Sequence, residues 1–151
     1  MRLIFLGLAL ASTAVPAAAK EAAKMLFECD AKSARVEGEA PNLRGNWDFL
    51  MDAGGTPNFG LLSVGLVGQA YGGSLALWST APVVLRELTS TGNSFHLAVA
   101  TPDGDVLFDG TLSAKGDRMC GTVTYHGGRT FPAVARKRPS TYETRPPAHR
   151  G

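Results

Sequence analysis

Only two of the 151 residues are cysteine, Cys29 and Cys120, and only three are histidine, His96, His126 and His149. A zinc centre needs three or four convergent ligands, and neither residue type is clustered here. No C-x-x-C, H-E-x-x-H, G-x-S-x-G, phosphate-loop or dinucleotide-binding pattern occurs. The net charge is only +2, so the chain lacks the broad basic field that recruits nucleic acid. Long apolar runs are missing too. The longest, Leu3 to Val15, is shorter than the roughly 20 residues that span a bilayer, and no membrane span is expected.

That run sits in a recognisable order. Arg2 precedes it, Ala17, Ala18 and Ala19 follow it, and Lys20 opens a polar stretch. Charge, apolar core and small-residue end are the parts of a cleavable secretory signal, which predicts residues 1–19 as a signal peptide and a secreted or periplasmic protein. Cys29 does not fit a lipid-attachment site, because Glu28 precedes it and Lys20, Glu21 and Lys24 separate it from the apolar run. At the other end, Arg136, Lys137, Arg138, Arg145 and Arg150 share a stretch with Pro139, Pro146 and Pro147. Residues 139–151 read as a disordered, solvated basic tail; attachment to an anionic envelope surface is the functional alternative.

An even cysteine count in an exported chain implies pairing. A Cys29–Cys120 disulfide would close a long loop and contribute about 4–5 kcal/mol in the chain-entropy account, less any strain. Residues 20–42 are charged and Ala-rich with one apolar cluster, Met25-Leu26-Phe27. They read as an N-terminal segment, part helical, strapped to the outside of the domain by that disulfide.

The body of the chain, residues 43–138, is a train of short strands. Turn signals recur at Gly54-Gly55, Gly72-Gly73, Thr80-Ala81-Pro82, Gly92-Asn93, Asp103-Gly104, Lys115-Gly116 and Gly127-Gly128. Between them apolar residues alternate. Trp47, Phe49 and Met51 share one parity, as do Phe95, Leu97 and Val99, then Val106, Phe108 and Leu112, then Met119, Val123 and Tyr125. Period two with one apolar face means half-buried strands. The segments are roughly 45–51, 59–67, 73–79, 83–89, 94–101, 105–113, 118–126 and 129–136. Short links between consecutive strands predict an all-β, eight-stranded antiparallel up-and-down barrel, since closure removes unpaired edges. Cys120 has the parity opposite to Met119 and belongs on the outer wall.

Gly45-Asn46-Trp47 at the start of the meander and Arg136 at its end resemble the G-x-W signature of lipocalin- and avidin-like barrels. The resemblance implies that the Arg136 guanidinium packs over the Trp47 indole at the closed end, with Gly45 leaving room. Such a cation–π contact is worth about 0.5–2 kcal/mol. A closer resemblance, over about residues 43–138, is to small glycine-rich barrel modules of bacterial secreted proteins, also found appended to secreted amidohydrolases. It rests on Gly45-Asn46-Trp47-Asp48-Phe49, Thr56-Pro57, Gly73-Ser74-Leu75, Phe108-Asp109-Gly110-Thr111-Leu112, Gly116-Asp117-Arg118-Met119-Cys120-Gly121-Thr122-Val123 and Ala133-Val134-Ala135-Arg136. These are turn, core and closure residues. They imply a scaffold and no catalytic set. Cys120 stands where a small residue is usual.

Isolated polar residues do not assemble a reaction centre. His96 and His126 lie on the fifth and seventh strands with outward parity. Asp103-Gly104-Asp105 reads as a hairpin turn, lacking the spaced oxygen ligands and late glutamate of a calcium loop. Glu87 shares the parity of Val83 and Leu85; on an inward face it would enter the barrel mouth and need a partner, and solvation at a strand end is the expectation. The chain is therefore expected to be non-enzymatic, without metal or cofactor, and to act as a protein-binding module for an envelope or secreted partner. The alternative is a small apolar ligand in the barrel mouth, lined by Trp47, Phe49, Phe95, Leu97, Phe108 and Tyr125. Short strands make a small barrel, so these side chains are expected to fill the core. A third possibility is an accessory domain or small hydrolase.

Overall fold

A computed structural model describes residues 41–140. The proposed signal peptide, Cys29 and nearly all of the N-terminal segment and basic tail lie outside the described residues, and so does the Cys29–Cys120 pairing. Eight strands follow in order: β1 Gly45–Asp52, β2 Pro57–Val67, β3 Ala70–Leu77, β4 Val83–Thr91, β5 Ser94–Thr101, β6 Gly104–Leu112, β7 Arg118–Thr124 and β8 Thr130–Lys137. Each pairs antiparallel with the next, and β8 returns to β1, closing the barrel. A single 3-10 turn, His126–Gly128, links β7 to β8.

Alternation decides what goes inside. Trp47, Phe49 and Met51 on β1 are buried and point inward, as do Leu97 and Val99 on β5 and Val106, Phe108 and Leu112 on β6. The two-residue links Gly68-Gln69 and Gly92-Asn93 each begin with a glycine at positive φ, +65° and +58°. The type I′ and II′ turns common in two-residue hairpins take that sign at their first central position.

Two local readings change. The expected turn at Gly72-Gly73 falls instead at Gly68-Gln69, and both glycines lie within β3. In β4 the pairing with β5 slips between Leu85 and Glu87. Arg86 is the extra residue of a β-bulge, so Leu85 and Leu88 are both buried while Glu87 is exposed. The bulge turns Glu87 to solvent and removes it from the barrel mouth.

The closed end also differs. Trp47 pairs with Lys137 across β1 and β8, while Arg136 pairs with Asp48. Cross-strand partners share a face, and Trp47 is inward, so the inward cation is Lys137. Its Nζ lies 5.6 Å from the Trp47 ring centroid and donates to the Asn42 carbonyl at 2.6 Å. Arg136 is exposed on the outer wall. The stretch before β1 folds across this end: Trp47 Nε1 donates to the Leu43 carbonyl at 3.0 Å, and the Tyr71 hydroxyl accepts from Leu43 N at 3.2 Å. Leu43 is fully buried, so the floor is sealed by chain as well as by side chains.

Candidate functional site

The opposite end is open. It is framed by the links β1–β2, β3–β4, β5–β6 and β7–β8, and inside it lies a cavity of about 620 Å³. The expectation of a filled core is corrected. Inward residues at this height are chiefly Val and Leu, with Phe only at Phe49 and Phe108, and an eight-stranded ring is wide enough to leave space between them. The deep walls are Phe49, Leu62, Leu75, Leu97, Phe108 and Val123. The rim includes Thr80, Ala81 and Pro82 from the β3–β4 link, Thr101 and Pro102 from the β5–β6 hairpin, and Tyr125.

Of the six residues that the sequence places in such a mouth, Phe49, Leu97, Phe108 and Tyr125 line the cavity. Trp47 and Phe95 do not. Trp47 belongs to the floor, and Phe95 backs Phe108 edge-on at 4.8 Å between ring centroids. Phe49 meets Phe108 from the other side, also edge-on, at 5.6 Å. Interlocked rings of this kind hold each other's rotamers and gain about 0.5–1.5 kcal/mol per pair beyond burial. Leu97 apart, the aliphatic walls and the two rim prolines are not among the six. Parity alone marks Leu62, Leu75 and Val123 as inward, so that signal was present.

The chemistry of the lining is uniform. No carboxylate, imidazole, thiol, amine or guanidinium is among the lining residues. Among the described residues no polar or charged side chain is buried, and no group of three metal-ligating side chains is present. Among the rim hydroxyls, that of Thr101 is committed to hydrogen bonds. Thr101 Oγ1 donates to the Gly104 carbonyl at 2.6 Å, so its contact with His126 Nε2 at 3.1 Å requires His126 to donate. Tyr125 packs edge-on against Phe131 at 5.7 Å, and Arg129 caps Phe131 at 5.2 Å from the centroid.

The remaining polar candidates sit on the outer surface. His96 Nδ1 meets Asp109 Oδ1 at 2.5 Å across β5 and β6, far from His126. Asp103 is in the two-residue hairpin link before Gly104. Arg86 pairs with Asp105 at 3.1 Å. Asp117, in the β6–β7 loop at the floor end, accepts from Ser113 Oγ at 2.6 Å, which holds its carboxyl below the usual carboxylate range. On the outer wall, Leu50, Cys120 and Val134 form a second apolar cluster across β1, β7 and β8. No free cysteine is found among the described residues.

No protein-family model matches the chain. No curated protein matches it either.

Proposed function

We propose that this protein binds a small apolar molecule in the barrel mouth, without catalysing a reaction on it. The observation that carries the reading is the cavity of about 620 Å³ walled by Phe, Leu, Met and Val side chains. Its size falls in the range of small-molecule pockets, about 300–1,000 Å³. A dry apolar cavity forfeits dispersion contacts on its lining, and a ligand of matching chemistry restores them. With no titratable group other than the Tyr125 phenol on the walls, general acid–base or nucleophilic chemistry has little to work with there. The lipocalin- or avidin-like character is part of the same proposal, resting on the Gly45-Asn46-Trp47 start and the cation over Trp47. Export by residues 1–19 and a Cys29–Cys120 strap over the Leu50, Cys120 and Val134 cluster complete it. A protein partner at the mouth has no comparable feature in its favour.

The test is titration with the uncharged fluorophore N-phenyl-1-naphthylamine. Saturable enhancement with one site per chain is expected. Leu97→Trp, which fills the cavity from its wall, should abolish it while circular dichroism stays native. No saturable enhancement on the native protein, or undiminished binding by the folded variant, would overturn the reading.

A further inference from the structure

From Ala53 to Leu85 the chain contains no Asp, Glu, Lys, Arg or His. This stretch builds β2, β3 and the start of β4. All five exposed large hydrophobic residues among those described fall within it: Phe59, Leu66, Val67, Trp78 and Val84. Four of them, all but Leu66, have outward parity, so one sector of the outer wall is uncharged over its full height and apolar but for Ser63 and Ser74. Charges resume on both sides, with Asp48 and Asp52 on β1 and Arg86 and Glu87 on β4. Contiguous apolar surface of this kind marks an interaction site.

The wall has a built-in polarity along the strands. At the mouth end Trp78 is 93% exposed and Phe59 56%. Trp78 N donates to the Phe59 carbonyl at 2.8 Å, extending the β2–β3 ladder and fixing the Trp78 backbone beside Phe59. Next come Leu61 and Ala76, which pair, then Ser63 and Ser74, then Gly65 and Gly72. At the floor end Val67, 73% exposed, pairs with Ala70. Bulk is therefore concentrated at one end and small residues at the other, with the Ser63–Ser74 pair midway.

We infer that this wall is the face on which two copies of the chain pair, about a two-fold axis through Ser63 and Ser74. That axis lays Phe59 and Trp78 of one copy over Val67 and Ala70 of the other. It also lays Leu61 and Ala76 over Gly65 and Gly72. Each contact occurs twice, as an isologous interface requires. Large side chains meet small ones, so the two sheets approach closely. A face paired with itself must avoid like charges, and this one has none. The wall measures about 36 Å along β2, at 3.3 Å per residue. β3 adds about 26 Å and the start of β4 about 10 Å, so at about 4.8 Å strand spacing the face covers about 350 Å² per copy. Two such faces reach about 700 Å² in total, the size of a weak, transient association. The dimer is accordingly concentration-dependent. The inference stands whether or not the cavity takes a ligand.

Sedimentation equilibrium over a wide concentration range tests it. The native chain should move from one to two chain masses. Trp78→Glu and Val67→Lys should each weaken association more than tenfold, and neither residue is in the core, so both variants should fold. An equimolar mixture of the two variants should associate more strongly than either alone, because the two-fold sets the new carboxylate against the new ammonium. A chain monomeric at every concentration, or a mixture no better than its components, would overturn the inference. So would a monomer that co-sediments through Trp78 with phosphatidylcholine vesicles, since the wall would then face lipid.

Discussion

Lys137 Nζ sits 5.6 Å from the Trp47 ring centroid while donating to the Asn42 carbonyl at 2.6 Å, so one cation joins the last strand, the first strand and the chain that crosses the floor. Trp47→Ala should cost about 3–5 kcal/mol, the range for truncating a buried aromatic, and it also orphans the Leu43 carbonyl. Lys137→Ala should cost about 1 kcal/mol, combining a cation–π contact with a hydrogen bond. Urea denaturation of the double mutant should reveal coupling above about 0.5 kcal/mol. Arg136→Ala, on the outer wall beside Asp48, should stay within about 0.5 kcal/mol of the native protein. A larger loss from Arg136→Ala than from Lys137→Ala would contradict this closure.

Most of the barrel is legible in the sequence because strand alternation has a period of two and the turns are glycine-marked. The readings fail where one residue decides parity. Arg136 and Lys137 are adjacent cations on opposite faces, and only the pairing of β8 with β1 says which one meets Trp47. In β4 the bulge at Arg86 reverses the parity of Glu87, and no sequence pattern announces it. Gly72-Gly73 is a louder turn signal than Gly68-Gln69, yet β3 uses both glycines inside the strand. At Gly73 a β-carbon would fall 1.9 Å from the Ser63 carbonyl oxygen. Parity also says nothing of height along the barrel. Trp47, Phe95 and Phe49 are all inward, but only Phe49 reaches the cavity. The cavity itself depends on the circumference of the closed ring against the summed volume of its lining, a quantity no local pattern contains.

Gly110 and Gly121 face each other across β6 and β7. A β-carbon on Gly110 would lie 2.0 Å from the Cys120 carbonyl oxygen, and one on Gly121 would lie 1.9 Å from that of Asp109. Backbone, not a flexible side chain, would have to move. Gly121→Ala should therefore destabilise by about 1–3 kcal/mol or more, the cost of overpacking. Gly65→Ala is the control: it has ordinary φ and nothing within 4 Å of the added carbon, and chemical denaturation should place it within about 0.5 kcal/mol of the native protein. Equal losses at the two positions would refer the effect to strand propensity instead of close approach.

Asp117 supplies a pH dependence of known sign. The hydrogen bond from Ser113 is the main cause of its lowered pKa; burial, the next largest effect, opposes it, and its own backbone N–H and the charges of Lys115 and Arg118 add smaller lowering effects. A carboxyl with a depressed folded pKa stabilises the fold above its unfolded value of about 3.9 and loses that contribution as pH falls through the folded value. Removing the charge with Asp117→Asn should therefore flatten the acid limb of the stability–pH curve below about pH 4. Asp117 is largely solvated, so the change is small, and thermal melts at matched ionic strength between neutral and acid pH should resolve it as a reduced slope. An unchanged acid limb would mean that other carboxylates control it.

The cavity predicts a linkage as well as a binding curve. A ligand that enters only the folded barrel stabilises it by about 2.7 kcal/mol at one hundred times its Kd. For a domain of this size each kcal/mol raises Tm by about 4–8 °C. N-phenyl-1-naphthylamine at that excess should accordingly raise Tm by about 10 °C or more, and the shift should grow with the logarithm of its concentration. Phe108→Ala separates cavity from surface. Phe108 is 2% exposed and holds both Phe49 and Phe95 edge-on. Its truncation should cost about 3–5 kcal/mol while enlarging the cavity, so the ligand should return part of the lost stability and its Tm shift should persist. Leu97→Trp, which fills the same space, should show no shift at all. Differential scanning fluorimetry is unsuitable with a fluorescent ligand, so circular dichroism melts are the measurement. Equal shifts in native protein, Phe108→Ala and Leu97→Trp would place the ligand on the outer wall and end the case for a binding mouth.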